Sequence, residues 1–395
     1  MADAYIFDAI RTPRGKGRKD GALNAVAPID LQKTLIDAVF SRNSVAPAAI
    51  DDLILGCVTQ VGEQGGNVAK VAALHSGLPA SVPGMTINRY CTSGLDACNL
   101  AAMKIISGQD EIVCAGGVES MSRVPVLSDH ASFYETAGFV PMGLAADLIA
   151  SLDGISREEC DEYAVRSQHR AAEAQRNDAF SNSLIGVFNS LTGETVTEDE
   201  CVRATATAEK LATFDPLFEK ISGQGYEETF KAEFPSLNEM RYVHHVGNSP
   251  GIVDGASLVL IGSETAAEKF ELKPRARIRA MSNVSASELL ALTGGIVAAD
   301  NVLAKAGMSC SDVGLVEFNE AFASTSIKFI RDTAWDVDQI NVNGGAIALG
   351  HAMGATGATL IGTVLDELER RDLAIGLVAV SGAAGIGTAT IIERV

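Results

Sequence analysis

The sequence predicts an α/β protein of two similar halves, each built on a mostly parallel sheet with helical crossovers. Three observations carry this. Short apolar runs alternate with helical spacing up to residue 115, and again from Arg275 onward. Between about Met121 and Val246 the texture changes to prolines, isolated polar residues and irregular spacing. Matched segments then recur in the two ordered parts at a separation far longer than a solenoid repeat.

The elements follow in order. Ala4–Ala9 reads as a strand. Pro28–Phe40 reads as a helix, because Ile29, Leu31, Leu35, Ile36 and Val39 recur at helical spacing. Asp52–Val58 is a strand, Gly66–Ser76 a helix, Gly84–Asn88 a strand, Ser93–Ser107 a helix and Glu111–Ala115 a strand. In the irregular middle, Ser156-Arg157-Glu158-Glu159 has the form of a capping box and opens a helix to about Asn177. The second ordered part gives a strand at Ala276–Met281, a helix at Ala298–Ala306 and a strand at Val313–Asn319. A helix at Ala321–Ile330, a strand at Gln339–Asn343 and a long helix at Gly354–Glu369 come next. Two strands, Leu373–Val380 and Gly387–Glu393, close the chain. In each part a strand ending in Asn (Asn88, Asn343) leads to a reactive residue type (Cys91, His351) and then a glycine-containing helix start. Two such halves would face each other with their helix N-termini at a shared centre.

Composition narrows the function classes. The 395 residues are 47% hydrophobic and 21% charged, enough for a large core and for two or three domains. The net charge of −19 and the 5% aromatic content leave no basic, aromatic platform for nucleic acid. Arg11, Arg14, Lys16, Arg18 and Lys19 form a local basic cluster, read either as a solvated loop or as a phosphate contact. Seven dispersed cysteines without a CxxC indicate neither a disulfide framework nor a zinc site. No signal peptide, transit peptide or membrane-length apolar run is legible, so a cytoplasmic location is expected.

The richest segment is Asn88-Arg89-Tyr90-Cys91-Thr92-Ser93-Gly94. A cysteine just ahead of a helix start reads either as a buried side chain filling space or as a reactive sulfur, for there the free N–H groups and the positive end of the dipole favour its thiolate. A thiolate nucleophile needs a proton acceptor. Of six histidines, His351 alone lies in a dense small-residue motif, Gly344 to Gly354, where backbone approaches a ligand closely. His75, His130 and His169 carry no motif; His244 and His245 either brace the structure or line a ligand channel. Asn319 ends a strand, where ligand sites of α/β sheets lie; its amide reads either as bonding its own turn or as holding a water or an oxyanion.

Together these motifs resemble the thiolase family over nearly the whole chain. The resemblance rests on Arg11-Thr12-Pro13, Asn88-Arg89-x-Cys91-x-Ser93-Gly94, Gly116-Gly117-x-Glu119-Ser120-Met121-Ser122 and Met142-Gly143. It continues through Gly247-Asn248-Ser249-x-Gly251, Asn319-Glu320-Ala321-Phe322-Ala323 and Asn341-x-Asn343-Gly344-Gly345 to Gly350-His351. It implies a thiolase-like fold: two βαβαβαββ halves packed as a five-layer α-β-α-β-α core, plus a loop domain. The expected division is 1–120 with 247–270, 121–246 for the loop domain, and 271–395. It implies coenzyme A thioesters such as acyl-CoA and acetyl-CoA as substrates, no metal or bound cofactor, and a homodimer or homotetramer. Cys91 would carry the acyl group. His351 would activate it and, with a water on Asn319, bind the enolate oxygen. The backbone N–H groups of Cys91 and Ala383 would form a second oxyanion hole. Met142, Leu237, Gly247, Ser249, Ala321 and Phe322 would line the coenzyme A path.

The chain departs from the family at three places. Ser381 stands where the family has its second, proton-shuttling cysteine, Ala352 follows His351 in place of proline, and Pro250 takes the place of a serine. The expected activity is thiolase, the reversible Claisen condensation and thiolysis of 3-ketoacyl-CoA. Ser381 keeps two alternatives open: a divergent acyltransferase that still loads Cys91, and a weakly active acyl-CoA-binding subunit.

Overall fold

The structure, a computed structural model, describes residues 3–124 and 138–395. Among them twelve strands form: β1 (Tyr5–Arg11), β2 (Gly15–Lys16), β3 (Asp52–Gly56), β4 (Met85–Ile87), β5 (Ile112–Ser120), β6 (Val187–Asn189), β7 (Glu194–Val196), β8 (Val253–Gly262), β9 (Ala276–Ser285), β10 (Leu315–Phe318), β11 (Ile375–Ser381) and β12 (Ile386–Arg394). Ten of these join one sheet, and nine run along its path in the order β10-β11-β12-β9-β1-β8-β5-β3-β4.

That order contains the repeat. The first half reads β4-β3-β5-β8-β1 and the second reads β10-β11-β12-β9. β3 pairs parallel with β5, as β10 does with β11; β5 pairs antiparallel with β8, as β11 does with β12; β8 and β12 then pair antiparallel with β1 and β9. The counterpart of β4 is reduced to a single parallel bridge from Ile340 to Val316. The expected strand at Gln339–Asn343 is therefore one bridge following a short 3-10 turn, Val337–Gln339. Three long helices per half sit between corresponding strands, so the first half is βαβαβαββ and the second keeps that order with the bridge at Ile340 in place of its third strand. The sheet is mixed rather than mostly parallel. β1, β8, β9 and β12 run antiparallel to the strands they pair with; of these pairs only β11 and β12 follow each other directly in the chain, without a crossover helix.

Alternation along the strands separates the layers. In β5, Ile112, Cys114 and Val118 face the helices Pro28–Arg42 and Val68–His75, while Val113 and Ala115 face the opposite side. In β11, Leu377 and Ala379 face outward to Val302, Phe329 and Trp335, while Val378 and Val380 face inward. The helices Ser93–Ser107 and Met353–Arg371 fill the middle, and the second touches strands of both halves. The result is five layers. Every residue of that second helix from Met353 to Leu368 is buried. Its threonines are tolerated there because Thr356, Thr359 and Thr363 donate to the carbonyls four residues back.

Glycine brings the two middle helices together. A Cβ at Gly94 would lie 2.6 Å from the Gly354 carbonyl oxygen, and one at Gly357 would lie 2.3 Å from the Leu95 nitrogen. No side chain fits, so the two helix starts touch backbone to backbone. This close approach carries the residue just before each helix into the same neighbourhood.

Between β5 and β8 the described residues include the helices Met142–Asp153 and Arg157–Arg176. The second opens on the expected capping box: Ser156 Oγ accepts from the Glu159 N–H, and the Glu159 carboxylate accepts from the Ser156 N–H. The first helix and strand β8 were not anticipated. A continuous apolar run such as β8, buried on both faces, carries no alternation to read.

Candidate active site

Cys91 sits in a tight turn between β4 and its helix. The turn is held from within: the Arg89 N–H donates to Ser93 Oγ at 2.8 Å, and that hydroxyl donates to the Tyr90 carbonyl at 2.6 Å. Tyr90 itself is held at a φ of 49°, a left-handed conformation unusual for a side chain of this size. Asp96, in the first helical turn, accepts from Arg89 Nε and from Asn283 Nδ2 of β9, which ties the turn to the other half.

The sulfur is half-buried. Burial, and then the carboxyl of Glu119, push its thiol up to about 12, against the pull of its own backbone N–H. At neutral pH it rests as a thiol. This corrects the expectation of a preformed thiolate: desolvation and a nearby acid outweigh the helix start.

Glu119, at the end of β5, joins the two halves. One oxygen accepts from the N–H groups of Val58 and Gly354, the other from the Thr59 N–H and Gln64 Nε2. Gly354 lies three residues beyond His351, so the acid near Cys91 also anchors the histidine segment. Sequence reading quoted Glu119 in a motif but gave it no role.

His351 is buried, with its N–H bonded to the Gly251 carbonyl at 2.9 Å. Its Nδ1 lies 2.8 Å from Thr356 Oγ1. The Thr356 hydroxyl already donates its one proton to the Ala352 carbonyl. It must therefore accept from Nδ1–H, which leaves the lone pair on Nε2. That Nε2 is buried and has no hydrogen-bond partner among the described residues. Burial, and then the cation of Arg14, hold the imidazole down to about 4, so it is neutral at physiological pH. A neutral imidazole with its lone pair free is the form a general base needs.

Asn319 follows β10, with its N–H on the Ala379 carbonyl at 2.9 Å. Its amide is 1% exposed, and neither Oδ1 nor Nδ2 has a partner among the described residues. It lines a cavity of about 10 Å3 together with Gly350 and Thr356, the neighbours of His351. A cavity of this size holds about one water.

Ser381 ends β11, two residues beyond Ala379. It is fully buried, and its Oγ accepts from the Gly295 N–H at 2.9 Å. The next residue, Gly382, lies against the cysteine turn: a Cβ there would be 3.4 Å from the Arg89 oxygen, the Tyr90 Cβ and the Thr92 Cγ2. Ala383 follows in a short turn whose next residue, Ala384, is also left-handed. Gly382, the neighbour of Ser381, thus lies against the Cys91 turn, and Asn319 lines one cavity with Gly350 and Thr356 of the His351 segment.

The residues expected along the coenzyme A path gather nearby. Met142, Leu237, Ala321 and Phe322 share one apolar cluster with Phe218 and Phe230. The Asn248 carbonyl accepts from the Ala323 N–H, which seats Gly247 and Ser249 against that cluster. Ser249 Oγ is buried without a partner among the described residues. His244 and His245 brace this region. His244 Nδ1 pairs with Asp147 at 2.7 Å and its Nε2 accepts from the Ser324 N–H. His245 Nε2 pairs with Asp161 at 2.7 Å and its Nδ1 accepts from the Gly247 N–H. With both nitrogens engaged, neither ring is a ligand group. His75 and His169 are exposed, and His130 lies outside the described residues.

Known proteins match along the whole chain. The pattern of the thiolase N-terminal domain matches residues 4–225, and that of the thiolase C-terminal domain matches residues 272–394. The chain is 39% identical over 410 residues to a 3-ketoacyl-CoA thiolase of Escherichia fergusonii and 38% identical over 410 residues to that of Escherichia coli K12, with 100% of each chain covered. A solved acetyl-CoA acetyltransferase of Bacillus anthracis superposes with a TM-score of 0.86 at 32% identity. The human mitochondrial 3-ketoacyl-CoA thiolase does so with 0.87 at 30%. Both comparisons cover 100% of this chain and 99% of the other.

Proposed function

The chain belongs to the thiolase family and is an acyltransferase of thiolase activity; from this premise we propose that its thioester chemistry runs through Cys91 and His351. The reaction is 3-ketoacyl-CoA + CoA ⇌ acyl-CoA + acetyl-CoA, the cleaving step of fatty-acid β-oxidation. In the cleavage direction His351 Nε2 takes the proton of Cys91, and the sulfur bonds to C3 of the substrate. The C2–C3 bond breaks with its electron pair going to C2. The acetyl-CoA enolate oxygen is held by the protonated His351 and a water on Asn319. C2 takes up a proton from the Ser381 hydroxyl, a slow donor where a thiol would be a fast one. Free CoA then gives its thiol proton to the Ser381 oxygen and attacks the Cys91 thioester, while the N–H groups of Cys91 and Ala383 hold the carbonyl oxygen; the bond from the acyl carbon to the Cys91 sulfur breaks, and that sulfur takes back the proton held on His351. Coenzyme A is substrate and product, and each step uses side chains and backbone groups of this chain.

The single observation that carries the reading is the buried, unpartnered Nε2 of a neutral His351. The test is intact mass after incubation with acetyl-CoA, followed by an assay of acetoacetyl-CoA cleavage by CoA. The expected result is an adduct of about 42 Da on Cys91 and measurable cleavage. No adduct on Cys91 sinks the reading. An adduct without cleavage favours the alternative raised by the buried Ser381, an acyltransferase that loads Cys91 but passes the acyl group to another acceptor.

Coenzyme A would approach over Met142, Leu237, Gly247, Ser249, Ala321 and Phe322; the apolar cluster shared by Met142, Leu237, Ala321 and Phe322, and the Ser249 hydroxyl with no partner among the described residues, suit a pantetheine arm. No helix among the described residues is long and apolar enough to cross a membrane. Seven unpaired cysteines support a reducing compartment, the cytoplasm. A homo-oligomer is supported by the edge strand β4. It ends the sheet, and beside it Val71, Leu74 and Met85 are exposed. An exposed edge flanked by apolar side chains pairs readily with a second copy. Leu74→Glu combined with Met85→Glu is expected to lower the mass seen by light scattering to that of one chain. An unchanged mass would place the interface elsewhere.

A further inference from the structure

The basic cluster near the N-terminus divides in the structure. Arg11 forks onto Asp199 through both terminal nitrogens at 2.8 Å, Lys16 pairs with Glu200, and Arg18 is exposed beside Asp20. Arg14 does something else. It is 6% exposed, its backbone N–H donates to Asp199, and its Nη1 is buried with no partner among the described residues. A buried cation without a hydrogen bond costs several kcal/mol, so its retention needs a reason.

The guanidinium lines the cavity of about 10 Å3 that Asn319 also lines. Across it stands Glu317 of β10, 2% exposed, with Oε2 unpartnered as well. Three residues that line one water-sized space therefore carry four orphaned buried atoms: Arg14 Nη1, Glu317 Oε2 and both ends of the Asn319 amide. Buried polar atoms without partners are rare, and packing error does not gather four around one cavity. The cavity wall continues into Gly350 and Thr356, on either side of His351.

We propose that Arg14 is a positioning residue for the Asn319–His351 oxyanion site, acting with Glu317 through one enclosed water. A water there accepts from Arg14 Nη1 and donates to Glu317 Oε2. One lone pair and one proton remain, enough by number for either end of the Asn319 amide; the two ends point in divergent directions, so one water meets one of them. The other end is turned toward the substrate. Without Arg14 the amide is free to flip, and the separate water that Asn319 presents to the enolate oxygen loses its fixed anchor. Arg14 also fills space beside Ala352: a Cβ at Gly255 would lie 3.4 Å from the Ala352 Cβ and 3.6 Å from the Arg14 Cγ. The inference rests on the assignment of Asn319 and His351 to the enolate.

The experiment compares Arg14→Met, Arg14→Lys and Glu317→Gln in acetoacetyl-CoA cleavage, with Asn319→Ala as reference. Arg14→Met is expected to lower kcat by about 10- to 100-fold, with KM for CoA within about twofold. Acetylation of Cys91 by acetyl-CoA, which uses the other oxyanion hole, should stay within about threefold of the parent. Arg14→Lys should recover part of the loss, because it restores the cation but not the planar fork. If Arg14→Met does not fold, the isosteric Glu317→Gln gives the same reading through a drop in kcat. Parent-like kcat in Glu317→Gln together with parent-like or unfolded Arg14→Met overturns the proposal. Parent-like cleavage by Asn319→Ala overturns instead the assignment on which it rests.

Discussion

Ser381→Cys is expected to raise the rate of acetoacetyl-CoA cleavage by CoA by about 10²–10⁴-fold, the usual contribution of a placed general acid–base group. Serine at this position is fully buried at the end of β11, and its oxygen is already the acceptor of the Gly295 N–H. An aliphatic hydroxyl neither gives nor takes a proton readily near neutral pH, whereas a thiol, intrinsically several units more acidic in the same surroundings, does both far more readily. The geometry allows the exchange. The residue packed against Ser381 is a glycine, and a Cβ there would lie 2.7 Å from the serine oxygen. The larger sulfur therefore meets no side chain on that side. The β10–β11 ladder sets the position two residues from the partner of Asn319, and Gly382 touches the Cys91 turn. The readout is steady-state cleavage, with Cys91 acetylation as the internal control. Acetylation depends on His351 and the backbone N–H groups, so it should change little. Unchanged cleavage in a folded Ser381→Cys protein would show that proton delivery to C2 comes from elsewhere.

His351→Ala should cost a comparable factor, about 10²–10⁴ in cleavage, and should slow acetylation of Cys91 as well. The argument is the protonation of the resting pair. Cys91 is a thiol up to about pH 12, and His351 is neutral down to about pH 4. Above the histidine's value the lone pair is available; below it the ring is protonated and accepts nothing. The profile of kcat/KM is thus expected to be flat across neutral pH and to fall only toward pH 4. Iodoacetamide alkylation of Cys91 offers an independent check. A thiol far below its pKa reacts through its small thiolate fraction, so the rate should rise about tenfold per pH unit from about 6 to 9. A plateau already present at pH 6 would reveal a preformed thiolate–imidazolium pair and overturn the neutral-pair account. Thr356→Val tests the tautomer: it removes the acceptor that holds the proton on Nδ1, and cleavage should fall while KM for CoA holds.

Legibility differed between elements for physical reasons. The helices Pro28–Arg42 and Arg157–Arg176 were readable because one face is apolar and, in the second, the cap residues stand in the chain itself. Strand β8 was not, because a strand buried on both faces shows no period. The bridge at Ile340 was read as a full strand because its apolar residues match one, while the pairing that would extend it is absent. In the site, Cys91 and His351 stood out through residue type and glycine context. Arg14 and Glu119 did not. One looked like part of a surface cluster and the other like motif filler, since burial and partner are not written in a local sequence.

What the chain determined by itself was the list of parts: two βαβαβαββ series, a sulfur ahead of one middle helix, an imidazole ahead of the other, and a serine where a second thiol would serve. Only the tertiary structure decided their ionisation and their company. Whether the sulfur rests as thiol or thiolate is a balance between desolvation, Glu119 and the helix start, and that balance depends on how far water is excluded. The tautomer of His351 follows from one hydroxyl proton given to the Ala352 carbonyl. The approach of the two halves follows from glycine backbones in contact across the middle layer, between residues more than 250 positions apart. Local sequence carries conformational preference; proximity and dielectric come from the packing of the whole chain.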